Sequence, residues 1–265
     1  MKKNILIATM ALGIGGAETH IVELSRKLAR FGNRVTVVSN GGIYVDELKK
    51  AGVRHTKAPL HTKNPASLLK SYSKLKKIIV RENIDIVHAH ARIPAFLCNF
   101  VCRKYNVPFV TTVHYEFRTS LLFKTFTRWG SYTLSVSKDV NKYLIDNYNY
   151  DKERAGLTVN GINSDVFHPR EKDPGVMEEV GLSADDNVIT TICRIDRGSS
   201  KTAFMLLDIA ESLDGEIDNL RIIIVGGGTL FDRLKDKAGA INKKSGKELV
   251  TITGPRSDIS DILSV

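Results

Sequence analysis

Two stretches of the sequence have the residue types and spacing that suit the binding of an anion. One is Gly13-Ile-Gly15-Gly16-Ala17-Glu18 and the other is Gly226-Gly227-Gly228-Thr229. Each follows an apolar run and precedes an amphipathic stretch, so each is expected to join a strand to a helix. Because glycine has no side chain, backbone N–H groups there can approach a phosphate or a polar ligand closely. A tight turn without a ligand is the alternative for both.

The first glycine loop departs from the dinucleotide-binding fingerprint in two places. Its sixth position is Glu18, where the fingerprint has Gly or Ala. The second predicted strand ends in Ser39-Asn40, with no acidic residue to bind a ribose. The loop therefore predicts a ligand other than a dinucleotide.

A third candidate site is basic. Arg194 ends a predicted strand, and Arg197 and Lys201 follow before the next helix. A guanidinium at this place can bind a diphosphate through two parallel hydrogen bonds, and an ammonium adds a point charge. A solvated basic loop is the alternative. All three candidate loops are expected at the carboxyl edges of their sheets, where α/β proteins bind ligands.

Histidines supply candidates for chemistry. His88 and His90 lie on either side of a predicted strand end, and His114 follows the strand that ends at Val113. The sequence offers no carboxylate cluster to support a metal site beside them, and no Asp-x-Asp triplet anywhere. A metal-dependent phosphate-binding enzyme is therefore not expected. His114 is the best functional candidate, and a structural histidine is the alternative.

The hydrophobic pattern alternates between short apolar runs and helical periodicity, which predicts parallel sheets covered on both faces. The predicted strands are Lys3–Thr9, Arg34–Ser39, Ile84–His88, Val107–Val113, Tyr132–Val136, Val188–Cys193, Leu220–Val225 and Leu249–Thr253. The predicted helices are Ala17–Phe31, Pro65–Arg81, Pro94–Tyr105, Lys138–Tyr148, Thr202–Leu213 and Leu230–Asn242.

Two α/β domains are predicted, residues 1–165 and 166–265, joined near a loop-like stretch at 160–175. The second series has only three strands, whereas a doubly wound domain normally has five or six. The second domain is therefore expected to be incomplete.

Composition and charge are those of a folded protein with a basic N-terminal part. Of its 265 residues 42% are hydrophobic and 26% charged, and the net charge is +10. Residues 1–165 hold 26 Lys and Arg against 12 Asp and Glu, whereas residues 166–265 hold 13 against 17. This asymmetry indicates an anionic partner for the N-terminal part, whether membrane, nucleic acid or anionic substrate, or only a solvated basic face. No nucleic-acid-binding module is visible, so nucleic acid is not an expected partner.

Two stretches combine basic and apolar residues, Ser67–Arg81 and Arg118–Trp129. Such helices can lie in a lipid interface, although the apolar stripe of Ser67–Arg81 is better explained as cover for the sheet. The apolar N-terminus is interrupted by Gly13, Gly15 and Gly16, which disfavours a signal peptide. No run is long enough to span a bilayer. A cytoplasmic protein is therefore expected, peripheral on the inner face of the membrane if it binds lipid.

The three cysteines are expected to be free. Cys98, Cys102 and Cys193 are too few and too scattered for a disulfide framework. Small buried side chains are the better interpretation of the first two.

Four segments together resemble family 4 of the retaining glycosyltransferases, which have the two-domain GT-B fold. They are Gly15-Gly16-Ala17-Glu18-Thr19; Val159-Asn160-Gly161-Ile162-Asn163 with Phe167 and Pro169; Arg194-Ile195-Asp196; and Val225-Gly226-Gly227-Gly228 followed by Thr253-Gly254-Pro255-Arg256. They occur in the family's order and span nearly the whole chain.

The resemblance implies a nucleotide-sugar donor between two Rossmann-like domains, without a metal or other cofactor. Arg194 and Lys201 would bind its diphosphate near Gly226 and Gly227, and Gly15 and Gly16 would meet the donor or acceptor. His114 would contact the transferred sugar. Asn160 and Gly161 look like the segment between the domains. Such enzymes are thought to transfer on one face, with cationic and amide groups stabilising the departing diphosphate.

Two departures from the family's pattern affect these assignments. Lys201 lies seven residues after Arg194, which is further than usual, so Arg197 is an alternative. The family's two glutamates, separated by seven residues, would lie beyond Val265, so the chain is expected to be truncated before that motif and catalytically incomplete.

The leading hypothesis is a glycosyltransferase that moves a sugar from a UDP or GDP sugar to a glycan or lipid-linked acceptor, as in cell-envelope polysaccharide synthesis. The alternative is a non-catalytic truncated homologue that acts as a membrane- or partner-binding subunit.

Overall fold

The computed structural model describes residues 2–117 and 119–265, without the side chain of Leu122. The chain divides into two compact units, Met1–Asn163 and Ser164–Val265. The boundary predicted from the sequence lies two residues further along the chain. Each unit is built on its own parallel sheet.

The first unit contains a seven-stranded sheet in the order β3-β2-β1-β4-β5-β6-β7, in which every neighbouring pair is parallel. The strands are β1 Asn4–Ala8, β2 Arg34–Ser39, β3 Arg54–Lys57, β4 Ile86–Ala89, β5 Phe109–Val113, β6 Tyr132–Ser135 and β7 Ala155–Leu157. The strand order reverses between β1 and β4, and α/β proteins bind ligands at such a switch point.

Helices cover both faces of this sheet. They are α1 Gly16–Arg30, α2 Val45–Lys50, α3 Pro65–Arg81, α4 Arg92–Tyr105, α5 Leu121–Phe126 and α6 Lys138–Tyr148, with a 3₁₀ turn at Lys152–Arg154. Alternate residues of β1 separate the two cores: Ile5 and Ile7 pack with residues of α1, and Leu6 and Ala8 pack with residues of α3 and α4. Strands buried on both faces in this way confirm the predicted parallel α/β architecture.

The second unit contains a three-stranded parallel sheet in the order β10-β9-β8. Its strands are β8 Asn187–Ile192, β9 Leu220–Val225 and β10 Val250–Gly254, and its helices are α7 Pro174–Glu179, α8 Lys201–Glu216, α9 Phe231–Ser245 and α10 Ile259–Ile262. Residues of α8 and α9 pack on Ile222 and Ile224, whereas residues of α7 and α10 pack on Ile223 and Val225. The predicted set of three strands is therefore confirmed.

The structure differs from the sequence-based expectations at several elements. The short strands β3 and β7 and the short helices α2 and α7 were not predicted. The helix predicted over Arg118–Trp129 is wrong in extent, since α5 covers only Leu121–Phe126. It ends because Thr127 has extended backbone, with its hydroxyl donating to the carbonyl of Phe123. Arg118 lies outside the described residues.

Two predictions about individual helices have opposite outcomes. Phe31 was predicted as the last residue of the first helix, but it follows α1 and is 79% exposed. The apolar stripe of α3 does cover the sheet, because Leu75, Ile78 and Ile79 are buried in the core beside β1 and β4. In the described ranges, no helix combines the length and apolar character needed to cross a bilayer.

Candidate functional site

The carboxyl ends of β1, β4 and β5 bring the predicted site residues of the first unit to one edge of its sheet. The loop after β1 leads to Gly15 and the start of α1, His90 follows β4, and His114 follows β5. These three strands are neighbours in the order β1-β4-β5. The strand order therefore explains why residues far apart in sequence come together at this edge.

Four histidines form a cluster there. The Nδ1 of His90 lies 3.1 Å from the Nε2 of His114. The ring of His88 lies 4.2 Å from that of His90 between centroids, and its Nε2 lies 2.7 Å from the hydroxyl oxygen of Thr112. His20, from α1, lies 5.6 Å from His90 and 5.3 Å from His114 between ring centroids. We call these four residues the histidine cluster.

Burial keeps the histidine cluster neutral at physiological pH. Desolvation lowers the pKa of His88 to about 3 and that of His114 to about 4, with further lowering by neighbouring histidines. It holds the pKa of His90 well below its ordinary value and also lowers the pKa of His20. These side chains can therefore donate and accept hydrogen bonds, but they do not supply a fixed positive charge at pH 7.

The glycine loop before α1 leaves open space beside the backbone. A Cβ added at Gly16 or Gly13 would meet no atom within 4 Å, whereas one added at Gly15 would lie 2.4 Å from the Glu18 carboxylate. Gly16 is the first residue of α1, and the N-cap residue of this helix is Gly15, which has no side chain to cap it. The space and the helix N-terminus fit the expected approach of a ligand, but ligand binding by Gly15 and Gly16 stays a prediction.

In the second unit, Asp196 connects two loops at the carboxyl edge of the sheet. Its Oδ2 accepts a hydrogen bond of 2.8 Å from the guanidinium of Arg194. Its Oδ1 accepts from the backbone N–H of Thr229 at 2.8 Å and from the Thr229 hydroxyl at 3.0 Å. These bonds lower the pKa of Asp196, so it is ionised at pH 7. Asp196 thereby orients Arg194, whose side chain remains 71% exposed.

The three glycines after β9 pack so closely against neighbouring loops that they leave no room for a side chain. A Cβ at Gly226 would lie 1.8 Å from the carbonyl oxygen of Cys193, and one at Gly228 would lie 2.6 Å from the carbonyl carbon of Ile195. The N–H of Gly226 donates to the carbonyl of Gly254. A Cβ at Gly227 would approach the Pro255 ring to 2.7 Å. Donor binding by Gly226 and Gly227 is untested by these contacts and stays a prediction.

The remaining predicted residues are exposed. Lys201 is the first residue of α8, and Arg197 lies in the loop before it. Asn160 and Gly161 follow β7 at the end of the first unit. The structure thus brings Arg194 close to the loop of Gly226–Thr229. It also places His114 at the same edge of the first sheet as the first glycine loop.

The described residues contain no group of three or more His, Cys, Asp and Glu side chains arranged to hold a metal ion. Cys98 and Cys102 are free and buried in the core of the first unit, as predicted, and Cys193 is free and half-buried. Burial raises the pKa of the Cys102 thiol to about 12, so it is not a reactive thiolate at neutral pH.

Sequence reasoning missed His20 and Asp196 as members of these sites. His20 lies three residues after Ala17 and four before Leu24, which places it on the same half-buried stripe of α1. A histidine on that stripe was the available signal. The sequence showed Asp196 only as part of a motif, because Thr229, whose N–H and hydroxyl donate to its carboxylate, lies 33 residues away in sequence.

Comparison with known proteins identifies the family. The model of Glycosyltransferase Family 4 matches residues 14–166, which is more than half of the chain. The chain belongs to glycosyltransferase family 4. The matched range covers the histidine cluster and all of the first glycine loop except Gly13.

Relatives extend the similarity over most of the chain. EpsF of Bacillus subtilis strain 168, named as a glycosyltransferase, is 23% identical over 256 residues, which cover 89% of this chain and 65% of EpsF. The phosphatidylinositol N-acetylglucosaminyltransferase GPI3 subunit of Saccharomyces cerevisiae is 26% identical over 243 residues, covering 82% of this chain and 51% of the yeast protein. The chain therefore spans about half to two thirds of the length of these relatives.

Solved structures with the same fold are also glycosyltransferases of the GT-B type. A glycosyltransferase from Rickettsia africae ESF-5 superposes with a TM-score of 0.77 at 23% identity, covering 100% of this chain and 72% of that one. Anabaena HepE in complex with UDP gives a TM-score of 0.74 at 16% identity, covering 98% and 71%. At these identities the likeness establishes the fold, which confirms the predicted GT-B type.

Proposed function

We propose that this protein is a retaining glycosyltransferase that moves a sugar from a nucleotide-diphosphate sugar to a glycan or lipid-linked acceptor. The observation that carries the proposal is Arg194, an exposed guanidinium oriented by Asp196 at the carboxyl end of a sheet in a family 4 chain. Because the chain spans only part of the length of its relatives, the activity is proposed for the protein as a whole.

The donor is proposed to be of the UDP or GDP type. HepE of Anabaena binds UDP, UDP with glucose, and UDP-glucose in its crystal structures, and it shares the fold of this chain. We assign the donor diphosphate to Arg194 and Lys201, with backbone groups of Gly226 and Gly227 nearby. Gly15 and Gly16 are assigned to the donor or acceptor from the first unit, and Asn160 and Gly161 to the donor side.

The proposed reaction needs no metal ion. The bond from the anomeric carbon to the diphosphate breaks, and a bond from the same carbon to the acceptor oxygen forms on the same face. The acceptor proton passes to the departing diphosphate, whose charge Arg194 and Lys201 would stabilise. His114, neutral at pH 7, would contact the transferred sugar by hydrogen bonding. The lack of an Asp-x-Asp triplet supports a role for cationic side chains in place of a metal.

Slow hydrolysis of the donor tests retention without knowledge of the acceptor. Water takes the place of the acceptor, so the first sugar released from UDP-glucose is expected to be α-glucose, observed by proton NMR before mutarotation. Free α-glucose mutarotating in the same buffer serves as the control. Release of β-glucose first would contradict retention, whereas the donor class is tested by direct titration with UDP and GDP.

An anionic membrane surface is the proposed location of the acceptor. The N-terminal part is strongly basic, and on α5 Leu121 is 82% exposed and Phe126 is 56% exposed, with Lys124 between them. The cytoplasmic leaflet is anionic and attracts such surfaces. The yeast relative's name contains a membrane lipid, which supports a lipid-linked acceptor. We therefore propose a peripheral place on the cytoplasmic face.

Vesicle binding tests this surface. The chain is expected to sediment with vesicles of phosphatidylglycerol and phosphatidylcholine at low salt, and less in 1 M salt, where the Debye length falls to about 3 Å. The double substitution Leu121→Ser and Phe126→Ser removes two apolar side chains, which should weaken binding about tenfold or more. Leu69→Ser is the matched control, because Leu69 is 70% exposed on basic helix α3. Equal binding to purely neutral vesicles, or none at all, would contradict the proposal.

A non-catalytic subunit is the second candidate. The fungal relatives are named as subunits, and one from Schizosaccharomyces pombe is 34% identical over 96 residues. This candidate predicts vesicle or partner binding without measurable affinity for UDP or GDP. Nucleotide titration therefore distinguishes the two candidates.

A further inference from the structure

His90 is the most buried member of the histidine cluster and the one that bonds to His114. It is 6% exposed, and its Nδ1 lies 3.1 Å from the Nε2 of His114. Its other ring nitrogen, Nε2, is buried and has no hydrogen-bond partner among the described residues. His114 is half-buried, and its Nδ1 is the ring nitrogen that the bond with His90 does not use.

The short contact requires a single proton between the two rings. If both facing nitrogens carried a proton, two N–H groups would point at each other at 3.1 Å, which is repulsive. If neither did, two lone pairs would oppose each other. One ring therefore donates and the other accepts, and both remain neutral because burial lowers both pKa values.

The environment of His90 favours one direction for this bond. If His114 were the donor, neutral His90 would carry its proton on Nε2, and a buried N–H would lack an acceptor. If His90 is the donor, its Nε2 is only an unused lone pair. Buried N–H groups without a partner are rarer in proteins than acceptors without one. Donation from His90 to His114 is therefore the more favourable arrangement.

We propose that His90 is a positioning residue that donates from Nδ1 to the Nε2 of His114 and so holds His114 in the tautomer with its proton on Nδ1. The hydrogen bond of one ring nitrogen sets the protonation of the other. His114 then offers an Nδ1–H donor, which suits an oxygen of a neutral sugar hydroxyl. This last step rests on the proposed function, whereas the tautomer itself does not.

The tautomer can be measured directly on the intact chain. Long-range ¹H–¹⁵N correlation NMR of ¹⁵N-histidine-labelled protein distinguishes protonated from unprotonated ring nitrogens, and His114→Gln identifies the His114 signals. We expect a protonated Nδ1 and an unprotonated Nε2 for His114 at pH 7. A protonated Nε2 on His114 in the unsubstituted protein would overturn the proposal.

Substitutions test whether His90 sets this state. In His90→Leu, the Nε2 of His114 loses its donor, so the proton is expected to move toward Nε2, the position preferred by free imidazole side chains. His90→Asn places an amide nitrogen near the position of the His90 Nδ1, so it should donate to the Nε2 of His114 and restore the His114 tautomer with its proton on Nδ1. His88→Leu is the matched control. His88 is another member of the histidine cluster, two residues before His90, but its ring nitrogen contacts the Thr112 hydroxyl and not His114. An unchanged His114 tautomer in folded His90→Leu would overturn the proposal.

Transfer kinetics add a separate readout. His90→Leu is expected to lower kcat about tenfold while leaving the donor KM within about twofold, with recovery in His90→Asn. A raised donor KM with unchanged kcat in His90→Leu would overturn the positioning role. If no donor supports turnover, the proposed function fails while the NMR result still decides the tautomer.

Discussion

Replacing Arg194 with alanine should weaken the binding of UDP about 10- to 100-fold. A hydrogen bond between charged groups contributes about 1.5–3 kcal/mol, and 1.4 kcal/mol corresponds to a factor of ten. Within residues 2–117 and 119–265, the Arg194 guanidinium is held by one carboxylate, that of Asp196, and the side chain is 71% exposed. The remaining N–H donors are therefore available to a diphosphate. Isothermal titration with UDP, and in parallel with GDP, measures the change.

A matched removal of charge controls for the electrostatic attraction of the whole unit. Lys243→Ala takes one positive charge from the exposed last turn of α9 and should change the affinity by less than about twofold. Lys201→Ala and Arg197→Ala, compared with each other, decide which of these two cations assists Arg194. Unchanged affinity in Arg194→Ala would contradict the diphosphate assignment.

The sequence predicted the buried parts of the fold because hydrophobic periodicity is strongest there. Strands such as β2 and β9 are rich in apolar β-branched residues, reading Arg-Val-Thr-Val-Val-Ser and Leu-Arg-Ile-Ile-Ile-Val, and their predicted bounds match the structure. The edge strands β3 and β7 were missed because they are short and carry little apolar signal, reading Arg-His-Thr-Lys and Ala-Gly-Leu. Their strand conformation depends on pairing with a neighbour, which no local pattern contains.

The candidate sites were predicted only in part, for a related reason. Strand ends gave His114 and Arg194, because topology alone places such ends at a ligand-binding edge. Their partners His90 and Asp196 are positioned by contacts that no local pattern shows. His90 meets His114 across 24 residues of sequence, and the Asp196 carboxylate is held by Thr229, 33 residues away. Similarly, the glycines indicated that another group approaches the backbone closely, but not whether that group is a ligand or another part of the protein. At Gly16 the space is open, whereas at Gly226 it is filled by another loop of the protein.

Replacing Gly226 with alanine should destabilise the second unit by about 3 kcal/mol or more. The φ of Gly226 is 143°, a conformation that side-chain-bearing residues rarely adopt. Its Cβ would lie 1.8 Å from the carbonyl oxygen of Cys193, which belongs to backbone held by β8 and β9. Strained backbone costs about 1–3 kcal/mol and overpacking a further 1–3 kcal/mol. Urea unfolding followed by circular dichroism measures the loss.

Gly239→Ala separates this steric effect from a general effect of substituting glycine. Gly239 lies within α9, and an added Cβ there would meet nothing within 4 Å, so the substitution should stabilise the chain by up to about 1 kcal/mol. Opposite signs for the two substitutions are expected, because one glycine is required by its conformation and contacts and the other is not. If Gly226→Ala left the urea midpoint unchanged, the close packing of the loops after β8 and β9 would be contradicted, and binding would become the better explanation of the glycine.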